Sequence, residues 1–288
     1  MANSALDLDL EVAEREFVFT HDDFLRAKAL IARRAGIALG PAKQNMVYSR
    51  LSRRLRALAL PAFSDYLDLL ESSHDAREWE AFTNALTTNL TSFFREAHHF
   101  PILASHLRRQ TSHAPLRIWC AAASTGEESY SLAMTACEAF GSAKPPVRIV
   151  ASDIDTQVLA TARRGVYALD RLDNLSAAQK RQFFHRGTGP SAGFARVRPE
   201  LRALVEFRTI NLHDANWALD RGFTAIFCRN VLIYFDRPTQ AAIVARFAPL
   251  LADDGLLFTG HSEALGPIDS MFRPRGKTVY EKAANEHA

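Results

Sequence analysis

Apolar positions in the first third of the chain recur at helical spacing. Thr20 with Asp23 forms a capping signal for a helix running to Gly36. Between Lys43 and Leu58 the stripe Val47, Leu51, Leu55 and Leu58 marks another helix, and residues 63–70 and 79–86 continue the pattern. No strand is expected before residue 114. Beyond it the period changes, with apolar runs at 116–120 and 147–152 alternating with helical segments at about 127–140 and 156–164. Further strands are read at 205–210 and from Phe223 to Cys228, and 255–260 with 278–282 are read as two closing strands in an antiparallel hairpin. The alternation predicts an α/β fold, a parallel sheet covered on both faces, preceded by a small helical domain. The boundary falls near residues 87–100.

Composition narrows the class. The chain has 288 residues, 48% of them hydrophobic, enough to bury a large core and to form two domains. No apolar run approaches bilayer length, and Asp7, Asp9, Glu11 and Glu14 make residues 1–16 an acidic, polar tail rather than a secretory signal. A cytoplasmic protein is expected. Cys120, Cys137 and Cys228 are odd in number and widely spaced in apolar surroundings, which suggests neither a disulfide framework nor a zinc site. A net charge of +3 identifies no partner.

Candidate chemistry begins where the first predicted strand breaks into Ala121-Ala122-Ala123-Ser124-Thr125-Gly126 and Glu127-Glu128 opens a helix. Small side chains let backbone N–H groups approach a ligand, and a helix start supplies further donors. The same loop would equally serve as a tight connection chosen for packing. The second strand ends at Asp153, where nucleotide-binding folds hold ribose hydroxyls, while Asp155 is better placed to cap the following helix. Gly126 is the only glycine in the turn, so a nicotinamide dehydrogenase is disfavoured and S-adenosylmethionine, which needs no pyrophosphate cradle, fits better. Cys228, Arg229, Asn230 and Tyr234 follow another buried strand and are expected beside the same turn. Asn230 is followed by Val231-Leu232-Ile233 rather than by prolines, which weighs against methylation of exocyclic base amines.

The domain junction, Leu86-Thr87-Thr88-Asn89-Leu90-Thr91-Ser92-Phe93-Phe94-Arg95-Glu96, completes a pattern. Together with Ser124-Thr125-Gly126-Glu127-Glu128 and Cys228-Arg229-Asn230, it resembles the CheR family of chemotaxis-receptor glutamate methyltransferases over residues 17–282. The resemblance implies a class I, Rossmann-like methyltransferase sheet with a small all-helical N-terminal domain and a small β-hairpin insertion. In that layout residues 17–86 form a receptor-docking domain and 87–99 a junction contributing to the cofactor site. Residues 100–282 form the methyltransferase domain, with the insertion at 176–204, and 283–288 are a polar tail. The implied cofactor is S-adenosyl-L-methionine, leaving S-adenosyl-L-homocysteine, with no metal. Asn89, Thr91 and Arg95 would contact it from the junction. Glu128 and Asp153 would hold its charged and ribose groups, Asn211 and Leu212 would flank the adenine, and Cys228 and Arg229 would line the remaining wall. Tyr234 would lie beside the methyl group. Ser129 stands where many relatives have proline, which touches only the first helical turn.

A glutamate acceptor, with a reference pKa of about 4.3, is ionised at neutral pH and needs no general base. Positioning then dominates, and Arg95 and Tyr234 are the expected catalytic residues, the first drawing in the carboxylate and the second hydrogen bonding near the sulfonium. His98, His99 and His261 are read as structural.

On the 43–58 helix, Arg50, Arg53 and Arg56 stand away from the apolar stripe, with Lys43 and Arg54 at its margins. A solvated helix face explains such charges; beside a glutamate-methylating site they also suit the acidic cytoplasmic helices of transmembrane chemotaxis receptors. In the insertion, Ser176 caps a helix leading to a glycine-rich hairpin. The hairpin is either structural or an exposed edge for an extended peptide. The resemblance implies more, since relatives with a similar Gly-x-Gly hairpin tether there to a short tail at the receptor C-terminus, which makes Arg186, Gly187, Gly189, Gly193 and Arg196 tail-binding candidates. A monomer is expected, with no nucleic acid partner and no membrane insertion. The alternatives are a non-catalytic S-adenosylmethionine-binding regulator and a nucleic-acid methyltransferase.

Overall fold

The computed structural model describes residues 15–73, 75–111, 114–263, 265 and 271–283. The tail assigned to residues 1–16 and that at 283–288 lie largely outside them. The chain divides into two compact units, Met1–Thr87 and Thr88–Ala288.

Among the described residues the first unit contains four α-helices, α1 (His21–Ala35), α2 (Gln44–Leu58), α3 (Phe63–Ser72) and α4 (Ala76–Leu86). Thr20 and Asp23 form a reciprocal capping box at the start of α1, and Gly36 closes it in the left-handed conformation. Their apolar stripes converge on a core that includes Phe24, Leu30, Leu51, Leu55, Phe63 and Phe82. Glu78 is buried there, paired with Arg54 at 2.6 Å and accepting the Tyr66 hydroxyl at 2.7 Å. Buried carboxylates need such partners.

The second unit opens with α5 (His99–Arg109) and is built on seven strands. They are β1 (Leu116–Cys120), β2 (Val147–Asp153), β6 (Val205–Thr209), β7 (Phe223–Cys228), β8 (Leu251–Thr259), β9 (Phe272–Gly276) and β10 (Val279–Lys282). Their order is β6-β2-β1-β7-β8-β10-β9, with the first five parallel and β10 antiparallel to both neighbours. Alternate residues serve two cores. Ile118, Cys120, Ile149 and Phe227 face one, and Trp119, Val150, Ile226 and Cys228 the other. A sheet buried on both faces is what the near-continuous apolar runs require. Helices α6 (Glu127–Phe140), α7 (Thr156–Arg164) and α10 (Arg237–Phe247) alternate with these strands.

Two details depart from expectation. The sheet closes with three strands rather than two, because Phe272–Gly276 forms an edge strand. Its Arg273-Pro274-Arg275 reads as loop, yet an edge position tolerates proline, and Pro274 lies opposite Tyr280. The insertion, in turn, is more than a hairpin. Ser176 does cap α8 (Ala177–Phe183), but β4 (Phe184–Arg186) and β5 (Phe194–Val197) are joined by β3 (Val166–Ala168), giving the order β3-β5-β4. A three-residue strand after Gly165 lies below what periodicity resolves. Between β5 and β6 runs the short α9 (Pro199–Arg202). Among the described residues, no helix is long and apolar enough to cross a membrane.

Candidate active site

Strand order reverses beside β1, which has β2 on one side and β7 on the other, and the carboxyl ends of strands at such a switch point are where parallel sheets take ligands. The turn 121–126 occupies this position. Ala121 N–H donates to the Phe227 carbonyl and Ala123 N–H to the Ser152 carbonyl, both at 2.8 Å, tying the turn to β7 and β2. Ser124 and Gly126 both have positive φ, 48° and 98°. A Cβ on Gly126 would fall 2.8 Å from the Ala162 Cβ and 2.9 Å from the Tyr167 hydroxyl, so only glycine fits. Tyr167 in turn donates to the Thr125 carbonyl at 2.7 Å. Glu127, at the start of α6, is fully buried and bonded to Arg171 and, at 2.6 Å, to the Thr125 hydroxyl.

Asp153 ends β2 and is 8% exposed. Its carboxylate accepts the Ser124 amide at 2.8 Å and the Asp155 amide at 3.0 Å. Burial pushes its pKa up to about 6, against those hydrogen bonds. A buried carboxylate raised in this way is stabilised as the anion by further hydrogen-bond donors, such as the hydroxyls of a diol. Asp155 caps α7, accepting the Gln157 and Val158 amides, the capping role expected of it. Asn89 joins both features, donating to Asp155 at 2.8 Å while its carbonyl accepts the Ser124 hydroxyl at 2.9 Å.

The third corner is Arg229, 4% exposed. Its guanidinium donates to Glu128 and to the Arg95 carbonyl, each at 2.5 Å, and lies 3.4 Å from Glu96 Oε2. The junction, the start of α6 and the end of β7 therefore meet on one side chain. Burial works to raise the Glu96 carboxyl, but Arg229, the His261 amide and Asn230 together hold it below its ordinary value. Cys228 and Cys120 are fully buried, and burial pushes both thiols well up, so neither is a thiolate.

Other expected site residues take more varied places. Leu212 packs in the same apolar cluster as Ala121 and Cys228, and Asn211 anchors its own turn through Asp214 at 3.0 Å. Thr91 offers its carbonyl to Arg171 at 3.1 Å. Arg95 is half-buried and donates to the Leu90 carbonyl at 2.8 Å. Tyr234 is half-buried on a single 3-10 turn, Leu232–Tyr234. His99 is buried, with Nε2 on the Lys277 carbonyl at 2.9 Å, and burial lowers its pKa to about 4, leaving it neutral. Ligand atoms of Glu96, His98 and His99 lie within 4.8 Å of one another, but the neighbouring Arg229 cation opposes a divalent ion there.

On α2, Arg53 and Arg56 are exposed, with Arg56 paired to Glu16 at 2.5 Å. Arg50 is half-buried and donates to the Ala85 carbonyl at 3.3 Å and to the Thr87 carbonyl, at the carboxyl end of α4. In the small sheet Arg186 and Arg196 are exposed, and Phe194 is 47% exposed. Gly187 is fixed by contact, since a Cβ would fall 2.0 Å from the Ser191 carbonyl oxygen, whereas Gly189 has φ 55° and Gly193 is open.

Three residues at the site were not singled out by sequence reasoning, namely Glu96, Arg171 and Glu263. Glu96 ends the junction motif. Arg171 carries no local signal. Glu263 follows β8 in Gly260-His261-Ser262-Glu263, where a glycine among polar residues at the carboxyl end of a parallel strand is itself a cue.

Residues 22–87 match the family described as CheR methyltransferase, all-alpha domain, and residues 89–280 match CheR methyltransferase, SAM binding domain. The chain is 55% identical over 270 residues to chemotaxis protein methyltransferase 2 of Pseudomonas aeruginosa, covering 93% of this chain and 96% of that protein. It is 55% identical over 257 residues to the chemotaxis protein methyltransferase of Salmonella typhimurium, covering 89% and 88%. Identity to that of Escherichia coli is 52% over 271 residues, covering 94% of each.

Proposed function

The chain belongs to the CheR methyltransferase family, and from that premise we propose that it transfers the methyl group of S-adenosyl-L-methionine to glutamate carboxylates of chemotaxis receptors. The products are glutamate methyl esters and S-adenosyl-L-homocysteine. The observation that carries this reading is the convergence on Arg229, which links the Glu128 carboxylate to the Arg95 carbonyl beside a close-approach turn.

Bound cofactor supplies an electrophilic methyl on a sulfonium. Asp153 would accept from its ribose, the turn at Ser124 and Gly126 would let main-chain N–H groups approach it, and Asn211 and Leu212 would flank the adenine. Asn89, Thr91, Glu128, Cys228 and Arg229 complete the wall. The acceptor glutamate arrives ionised, so no residue need remove a proton. Arg95 leaves the Leu90 carbonyl to meet that carboxylate, exchanging a neutral acceptor for an anionic one that can take a bidentate pair. Tyr234 would lie beside the methyl group, hydrogen bonding near the sulfonium end. Alignment of oxygen, carbon and sulfur then supplies roughly 7–11 kcal/mol in well-oriented cases.

Residues 17–86 serve as the docking domain, with Arg50, Arg53 and Arg56 facing acidic receptor helices. In the small sheet β4 is an edge, and Arg186, Gly187, Gly189, Gly193 and Arg196 receive an extended receptor tail by strand addition. The protein acts as a monomer in the cytoplasm. Incubation with labelled cofactor and receptor cytoplasmic fragments, RNA or buffer tests the reading. Base-labile label on the receptor alone supports it. Label on RNA, or cofactor binding with no label transferred, favours the nucleic-acid or regulatory alternative.

A further inference from the structure

The tract from Arg229 to Tyr234 leaves β7 with little secondary structure of its own. Asn230 sits in the left-handed region at φ 58°, and only the single 3-10 turn follows. Its amides are gripped instead by one buried side chain. Glu263, 5% exposed, accepts the Asn230 amide on Oε2 at 2.7 Å and the Ile233 amide on Oε1 at 3.3 Å. The same Oε2 accepts the Gly260 amide at 2.7 Å. Glu263 is itself pinned, its amide on the Gly260 carbonyl at 2.9 Å and its carbonyl accepting the Thr259 hydroxyl at 3.1 Å. Gly260 makes room for the grip, because a Cβ there would lie 2.6 Å from Glu263 Oε2 and 2.8 Å from the Asn230 nitrogen.

We propose that Glu263 is a positioning residue for methyl transfer, holding Arg229 and Tyr234 in register through the backbone amides between them. This rests on the reading that Arg229 and Tyr234 line the transfer site. The carboxylate form is specifically suited to the task. Both oxygens face N–H donors, so an amide of the same shape would turn an NH2 group toward at least one of them. Losing the Asn230 bond frees the residue next to Arg229, whose guanidinium must reach both Glu128 and the Arg95 carbonyl at 2.5 Å. At the other end, the Ile233 bond fixes the residue before Tyr234. Displacements of about 1 Å in such groups cost up to roughly 100-fold in rate.

The test uses the full chain with labelled cofactor and a receptor cytoplasmic fragment. Glu263→Gln and Glu263→Ala should both lower kcat by about 10- to 100-fold, with KM for the fragment changed less than about threefold. A packing role would be rescued by the isosteric Gln; an acceptor role is not. Amide exchange at Asn230 and Ile233 should be slow in the wild type and fast in Glu263→Gln. Wild-type kcat in Glu263→Gln, or fast exchange at Asn230 in the wild type, overturns the proposal. If both variants fail to fold, fast wild-type exchange still overturns the proposal, and Gly260→Ala, which crowds the same oxygen, should lower kcat in the same way, wild-type kcat there counting against it. Tyr234→Phe runs alongside. Unchanged kinetics in that variant would sink the site assignment, while slow exchange at Asn230 would still report the grip.

Discussion

Arg229 and Glu128, 101 positions apart in sequence, are joined at 2.5 Å with the arginine side chain fully buried and the glutamate nearly so. An ion pair this dry contributes little net stability when intact, but removal of one partner strands the other. Arg229→Met should therefore lower unfolding free energy by about 3–5 kcal/mol, and adding Glu128→Gln should recover part of the loss. Urea unfolding of the four proteins of the double-mutant cycle measures both effects. Additive losses would mean that the two residues are energetically independent.

If Asp153 holds the cofactor ribose as proposed, its buried carboxyl makes stability and ligand affinity depend on pH in opposite senses. Its folded pKa of about 6 exceeds the unfolded value of about 3.9, so the protonated form favours folding. The associated stability is present below pH about 4 and is lost as pH rises through about 6, amounting to at most about 3 kcal/mol. Asp153→Asn should flatten the wild-type stability slope across that window, as read by denaturant unfolding at stepped pH.

Affinity for S-adenosyl-L-homocysteine should move the other way. In the proposed site ribose hydroxyls donate to the anion, so binding at pH 5 should be about tenfold weaker than at pH 7, with proton release on binding. Calorimetry in buffers of different ionisation enthalpy counts that proton. An affinity constant across the range in the wild type would remove Asp153 from the cofactor site.

Arg95 and Tyr234 are expected to separate kinetically. Tyr234→Phe should lower kcat by about 10- to 100-fold, while homocysteine-cofactor affinity stays within about threefold. Arg95→Ala should raise KM for the receptor fragment as well, because it removes the charge proposed to draw in the acceptor. Steady-state methylation with both substrates varied tells these apart.

How much of this could be read along the chain depends on the range of the interaction. The α1 boundaries were legible because the Thr20–Asp23 box and Gly36 are local signals. The turn before α6 and Asp153 were legible because strand ends and small residues mark a switch point. Glu263 was not, since its partners are backbone amides whose irregular path no side-chain pattern announces. Strand β9 hid behind Pro274, which reads as a breaker until an edge position is known.

The same limit applies to the arginines of α2, where a helical wheel gives the side a residue faces but not what waits there. Arg50 meets the carbonyls of Ala85 and Thr87, whereas Arg53 is exposed. Charge reversal should accordingly have two different outcomes. Arg53→Glu should weaken receptor methylation most at low salt and less as ionic strength rises, with cofactor affinity unchanged. Arg50→Glu should in addition cost about 1–3 kcal/mol of stability, because it removes donors from the end of α4 and sets a carboxylate against carbonyl oxygens. Thermal unfolding beside salt-dependent initial rates distinguishes them. If Arg53→Glu left methylation untouched at every salt concentration, the docking role of this helix face would be lost, while the contribution of Arg50 to the fold would stand.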